Sequence, residues 1–439
     1  MPEPSQLRRS LATMVGWLAL LLLTPALLQA QTTDDTLAGA NTSEHRPEDQ
    51  PHLFGNWNGE RGRFSNRGIN FDLQHVSDSL WNIRSVKQER LAVWDRVRGT
   101  VDLDFSRLTG TQGLTLHITA VYQGGGNLGT YLGTLTGPSG LASANTFRLD
   151  SWWIEKSILN EHVVLRAGQF AGVDFYGTQL FGASFIFEPL QYGFGNLSAA
   201  TYESFDPPST PAAELRVIPV AHFYVKSMVF AADRAPYTHN PTGFVPDFRG
   251  AASSASEIGY SPGTKASAVR AQDSIEARKG YAGLYQLGAI YNPGNFNSIS
   301  TPAQVSGNYL IYGEANQAVY RTIPHASRGL DLTANVDWTP PDRTRNYKEF
   351  TVGGRVNEPL PIALHNTLGI AYVRNGINTA FPVASPQLST HDAEHAFEAN
   401  LLVEFPHAII LQPVVQYYLN VGGSSNNAVV FGFHNKVDF

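Results

Sequence analysis

The sequence predicts an all-β fold, a transmembrane antiparallel β-barrel of about sixteen strands with long extracellular loops, and three observations lead there. An export signal opens the chain, no later segment is apolar for long enough to cross a bilayer as a helix, and from Phe54 onward short segments alternate apolar with polar side chains.

Arg8 and Arg9 precede an apolar run over residues 11–23, Pro25 ends it, and Leu28, Gln29 and Ala30 supply the neutral end of a cleavage site. A spanning helix needs about twenty apolar residues. The shorter run reads as a secretory signal peptide over residues 1–30, with a mature chain expected from Gln31. Residues 31–53 are polar and acidic without periodicity, as in a flexible periplasmic leader, and the barrel is expected over residues 54–439.

The 439 residues include 40 glycines and 11% aromatics, but only 15% are charged. So little charge does not suit an ordinary soluble surface: the chain must bury much of itself or face something other than water. It has no cysteine, so backbone ladders and packing must hold it without a disulfide framework. A net charge of −6 and a pI of about 6.1 give no basic footprint, which argues against nucleic acid as a partner.

The clearest strand interleaves Leu330, Leu332, Ala334, Val336 and Trp338 with Asp331, Thr333, Asn335 and Asp337. Val101, Leu103 and Phe105 alternate with Asp102, Asp104 and Ser106, and Ile69, Phe71 and Leu73 with Asn70, Asp72 and Gln74. The same signal recurs over residues 114–122, 163–170, 221–231, 281–291, 309–320, 350–356, 368–372, 397–405, 409–419 and 429–439, and more weakly over 146–158, 196–203 and 213–217. Long stretches rich in Gly, Pro, Ser and Asn at residues 77–96, 124–145, 236–279 and 375–394 read as extracellular loops.

Alternation alone does not say which face points outward, since soluble barrels and sandwiches turn the apolar face inside. Closing about sixteen strands leaves a lumen too wide for side chains to fill, which suits a wet, polar interior. Tyr122, Tyr291, Trp338, Phe405 and Tyr417 lie at strand ends, where membrane girdles belong. The last strand carries Val429, Phe431, Phe433, Val437 and a terminal Phe439, which resembles the C-terminal assembly signal of outer-membrane proteins.

Three stretches carry a more specific likeness. WNGERGRFSNRGINF, with Trp57, Gly59, Arg61, Arg67, Gly68 and Ile69, resembles the opening of the carbohydrate-selective porin family. FRLDSWWIEKSILNEHVVLRAGQFAG, residues 147–172, is similar to that family's arginine–leucine and tryptophan strand followed by its leucine–arginine–x–glycine strand. Leu411, Gln412, Pro413, Gln416 and Tyr417 match a further element before the last hairpin, and Glu314, Asn316 and Tyr320 extend the likeness over most of the chain from Gly55. One departure is IRSVKQERL at residues 83–91, where family members often carry a glycine pair. The resemblance implies a sixteen-stranded outer-membrane channel admitting mono- or oligosaccharides to the periplasm by diffusion, without enzymatic activity or cofactor. The implied partners are sugars, outer-membrane lipid and the barrel-assembly machinery, with self-association left open.

Strand parity nominates Asp102, Asp104, His117, Arg148, Asp150, Trp152, Arg166, Glu314, Asn316 and Arg355 as lumen-facing groups for sugar hydroxyls or ring faces. Arg148 and Trp152, four apart, are read as sharing a face, although Trp153 and Glu155 would then face the other way. Arg84 and Lys87 are candidates for an inward-folding eyelet in the first loop, against the blander reading of solvated charges. Competing readings are a general or anionic-solute porin, a barrel enzyme and a secreted lectin.

Two motifs are set aside. Residues 124–129, GGGNLG, fit a dinucleotide fingerprint in form, but the residues after them, TYLGTLTGPSG, are not expected to supply the required helix. His391, Glu394 and His395 spell an inverted zinc-peptidase order, yet they sit between a Pro-Ser loop and a strand rather than on a helix.

Overall fold

The computed structural model describes residues 52–172, 176–177, 180–192, 208–263, 280–299, 301–323, 326–379 and 391–439. Among them sixteen strands form one closed antiparallel barrel: β1 (Ile69–Arg84), β2 (Arg90–Asp104), β3 (Leu114–Gly125), β4 (Thr146–Ile158), β5 (Val163–Phe170), β6 (Thr210–Val220), β7 (Phe223–Ala232), β8 (Ala251–Tyr260), β9 (Gly283–Asn297), β10 (Gln304–Arg321), β11 (Gly329–Trp338), β12 (Asn346–Asn357), β13 (His365–Ile377), β14 (Ala393–Phe405), β15 (Ile409–Leu419) and β16 (Ala428–Asp438). Each strand pairs with its chain neighbours, and β16 closes on β1 with Gln74 opposite Asp438, so no sheet edge remains to be covered.

Over most of the barrel the apolar face of the strands points outward, the upper parts of β1 and β2 excepted, where Val76, Leu80, Ala92 and Trp94 are buried inside. Leu332, Tyr122, Tyr291, Phe405 and Tyr417 are exposed, while the alternating Asp331, Asn335 and Asp337 are buried within the ring. The strand expected at 196–203 lies outside the described residues.

Two expected loops are corrected. Residues 77–96 form the upper parts of β1 and β2, joined by a turn of residues 85–89 only. Within 236–279 the strand β8 was missed, because AASSASEIGY offers small residues in place of an apolar–polar rhythm.

A 3-10 turn (Trp57–Gly59) and a seven-residue helix precede β1. Arg61, in α1 (Glu60–Asn66), is buried and donates to the Phe71 carbonyl at 2.9 Å and to a terminal oxygen of Phe439 at 2.6 Å, with its guanidinium over the Trp57 ring. The opening stretch and the last residue are thereby tied together, and the backbone N–H of Phe439 bonds the Leu73 carbonyl at 2.8 Å.

Inside the β7–β10 wall, tyrosine rings lie flat over glycines of the next strand: Tyr224 over Gly259 and Tyr312 over Gly288. Any Cβ at Gly288 would fall 2.2 Å from the Tyr312 ring. Gly288→Val is therefore expected to displace that ring and lower barrel stability by about 1–3 kcal/mol, read as a lower temperature for loss of the compact form on heat-modifiability gels.

Candidate pore constriction

Sixteen strands enclose more space than their side chains fill, and two extracellular loops fold into it. The β3–β4 loop, residues 126–145, begins with α2 (Leu128–Leu132), which is N-capped by Asn127 and stopped by Gly133 in the left-handed conformation. This short helix begins within the GGGNLG stretch, where none was expected; it is one turn of loop structure. The β5–β6 loop carries α3 (Glu188–Tyr192).

Inward backbone must find acceptors, and carboxylates on the wall provide them. Glu398 accepts from the N–H groups of Ile186 and Phe187, both at 2.9 Å. Glu394 accepts from Leu135 at 2.9 Å, Thr136 at 2.8 Å and Gly422 at 2.7 Å. Glu257 takes the Gly177 N–H at 2.8 Å together with Lys226, Gln286 and the hydroxyls of Tyr224 and Tyr312. Arg355 donates to Ser184 Oγ and Gln412 to its carbonyl, while Gln416 holds the Pro138 carbonyl. The loops also bond to each other, Gly140 N–H to the Ile186 carbonyl at 3.0 Å and Glu188 N–H to the Gly137 carbonyl at 3.2 Å.

Their undersides are apolar. Leu128, Leu132, Phe185, Ile186, Phe187 and Leu190 pack against Leu80, Ala92, Ala371, Val373, Ala396, Val414 and Val430 of the inner wall. Gly353 and Gly369 leave room for this, since a Cβ at either would sit 3.1 Å from the Phe185 ring. The expectation of a uniformly wet interior is corrected: one side of the lumen is a dry core shared by wall and loops.

The open side lies along β1–β4. Asp72, Arg98, Thr100, Asp102, His117 and Trp153 are inward and only half-buried. His117 stacks on Trp153 with centroids 3.7 Å apart and planes 17° apart, while its ring nitrogens meet Asp102 Oδ1 and Thr119 Oγ1, each at 2.7 Å. Arg166 lies 5.6 Å from the centroid of the Trp153 ring and is held by Glu155 at 2.6 Å and Glu214 at 3.0 Å.

Of the lumen-facing candidates, only Asp102 and His117 come together in this open region. Asp104 caps the helix at Phe105–Thr109 by accepting from Ser106 N–H at 2.8 Å. Arg148 and Asp150 face inward but are fully covered, 3.5 Å apart, with Tyr237 over the arginine and Ser209 on the aspartate. Arg166, Glu314, Asn316 and Arg355 are inward and buried.

Trp152 is a correction. The β3–β4 ladder passes from Ala120–Leu149 to Thr119–Ser151, so Asp150 is an inserted bulge residue and parity flips beyond it. Trp152 then pairs with Ile118 on the outer face, and Trp153 and Glu155 face inward. The eyelet reading of Arg84 and Lys87 is corrected as well. The short turn leaves Arg84 exposed at the end of β1, and Lys87 reaches the Tyr131 carbonyl, flanking that ring with Arg90 from the far side of the hairpin.

Sequence reasoning missed Trp153, Glu257 and Glu398, and met Glu394 only as a decoy. Glu394 points inward, while His395 faces outward onto Tyr372. Among the described residues no group of three His, Cys, Asp or Glu is placed to hold a metal.

Residues 88–439 match the family described as carbohydrate-selective porin, OprB family. The chain belongs to that family. It is a sugar-selective porin of the outer membrane. Its fold is similar to Pseudomonas putida OprB: the high-pH structure superposes with a TM-score of 0.78 at 17% identity, covering 88% of this chain and 97% of that one. The low-pH structure gives 0.54 at 15% identity, covering 88% and 98%. A search of curated protein sequences finds no match.

Removing the Glu398 acceptor by Glu398→Ala is expected to leave two loop N–H groups unpaired, at about 1–3 kcal/mol each, and to free the plug. Single-channel recording in planar bilayers should show a larger and noisier conductance. Glu188, partly buried in the plug, has its carboxyl pushed up to about 7 by desolvation. The docked loop therefore holds a proton that a free carboxyl would release above about 4.5, so the associated stabilisation is present at low pH and is lost as pH rises through about 7. Cation preference in reversal-potential measurements should rise over the same window in this porin and rise less in Glu188→Gln.

Proposed function

We propose that sugars cross this porin into the periplasm by passive diffusion, with the His117–Trp153 stack as their contact surface and no covalent chemistry. The carrying observation is that this stack is a flat, half-exposed aromatic face inside the lumen with polar groups around its edge. A pyranose presents apolar C–H faces and a rim of hydroxyls. An aromatic face takes the first through dispersion and the positive edge of its C–H bonds, and acceptors and donors together take the second. Asp102 accepts from hydroxyls and Arg98 donates, while buried Arg166 and Thr119 hold the Trp153 and His117 rings in place. Alternating charge along the path disfavours a fixed-sign solute, which supports the sugar reading over an anionic-solute channel.

In this reading residues 1–30 direct export, residues 31–53 lie in the periplasm, and Phe439, held by Arg61 once the barrel has closed, marks the last strand for assembly. Arg148, Asp150, Glu314, Asn316 and Arg355 are wall residues that fix the lumen's shape, and Asp104 fixes a turn.

Trp153→Ala is expected to weaken the sugar-dependent block of single-channel current by roughly twofold to twelvefold, as loss of one aromatic contact of about 0.5–1.5 kcal/mol requires. Trp152→Ala, on the outer face, should leave the block unchanged. Equal effects of both substitutions in titrations with glucose would overturn the assignment.

A further inference from the structure

The outer surface of the barrel is not even. Across β4–β7, on the side turned away from the lumen, lies a depression of about 500 Å³ with a mainly apolar lining. The strand register explains it. Ile154, Ala167, Ala213 and Val229 are directly opposed in one row over the four strands. The two alanines make a shallow floor, and the longer Ile154 and Val229 stand exposed on either side of it. In the adjoining row Lys156, Leu165, Leu215 and Ser227 continue the lining. Unbroken ladders on both sides of β5 fix the backbone here, so the depression does not close on itself.

One end of it is charged. Lys156 lies two residues from the end of β4, on the side of the barrel opposite the plug loops. Ala167 lies four residues from the start of β5 and Ala213 seven from the end of β6, so the depression runs from this rim toward the middle of the membrane. The Lys156 Nζ donates to the Gln112 carbonyl at 2.5 Å, and among the described residues no carboxylate pairs with it. An ammonium has three protons, which leaves two for an acceptor from outside the chain.

An apolar hollow at this depth stays dry, and left empty it forfeits the dispersion contacts of its lining. We propose that the depression is a binding site for an anionic phospholipid of the periplasmic leaflet. One acyl chain lies over Ala167 and Ala213 between Ile154 and Val229, and the phosphate meets Lys156. The order of the lining is the order of the lipid, charge at the membrane boundary and hydrocarbon inward of it. The single unpaired cation sets the sign of the headgroup. The site is independent of which solute the lumen admits.

Native mass spectrometry of the detergent-extracted porin, titrated with phosphatidylglycerol or phosphatidylethanolamine, reads this binding directly. The wild type is expected to retain phosphatidylglycerol in preference to phosphatidylethanolamine. Lys156→Gln should weaken phosphatidylglycerol binding roughly fivefold, the attraction of one lysine to anionic lipid. Ala213→Leu, which fills the floor, should weaken binding of both lipids. Lys348→Gln, opposite Trp338 on β12, should change neither. Unitary conductance should be unchanged in all three variants, since none of these side chains lines the lumen. Binding that is unaltered in Lys156→Gln and Ala213→Leu, or weakened as much by Lys348→Gln, overturns the proposal. So does a two-chain species that Ala213→Leu removes, which would make a second copy the occupant. If Ala213→Leu does not assemble into a barrel, the comparison of Lys156→Gln with Lys348→Gln decides.

Discussion

A barrel closed from sixteen strands cannot fill its own interior, and most of what is distinctive in this molecule stems from that geometric fact. Loop backbone drawn into the lumen leaves water and must pair its N–H groups. The wall answers with carboxylates: Glu257, Glu394 and Glu398 each collect more than one donor, and each receives loop N–H groups at 2.7–2.9 Å. A carboxylate is well suited because two oxygens accept bidentately where a neutral amide would turn a donor toward a donor.

The plug is not centred. Its apolar underside joins the inner faces of β13–β16 and the upper parts of β1–β2, which gives that half of the lumen a dry core. The half lined by Asp72, Arg98, Asp102, His117 and Trp153 stays more exposed. In the proposed reading, selectivity by these few side chains depends on the rest of the cross-section being closed by hydrophobic packing.

Much of this was legible from alternation: residues 330–338, 409–419 and 429–439 reveal both strand and outward face. What failed did so where alternation encodes something else. At Asp150 one inserted residue moves every later side chain of β4 to the opposite face, and the conflict between Arg148, Trp152 and Glu155 in the sequence was its trace. β8 reads as loop because Ser253, Ala255 and Gly259 are small on the inside, where Tyr224 and Glu257 need space. The loop anchors were invisible, since a carboxylate that binds a distant backbone has no local signature; Glu394 even fell within a metal-like motif.

Residues 77–96 misread for a different reason, and that reason is informative. There the inner positions Val76, Leu80, Ala92 and Trp94 serve the plug's dry core, and the outer positions His75, Ser77, Ser79 and Asp95 are polar. A pattern reader that equates apolar with outward sees two phases collide and finds no strand. The inner half of the inversion is fully explained by packing against the β3–β4 loop. Packing inside the barrel places no demand on the outer half, because adjacent side chains of a strand lie on opposite faces. The outer positions, where His75 pairs with Asp95 at 3.1 Å, are therefore set independently of the plug.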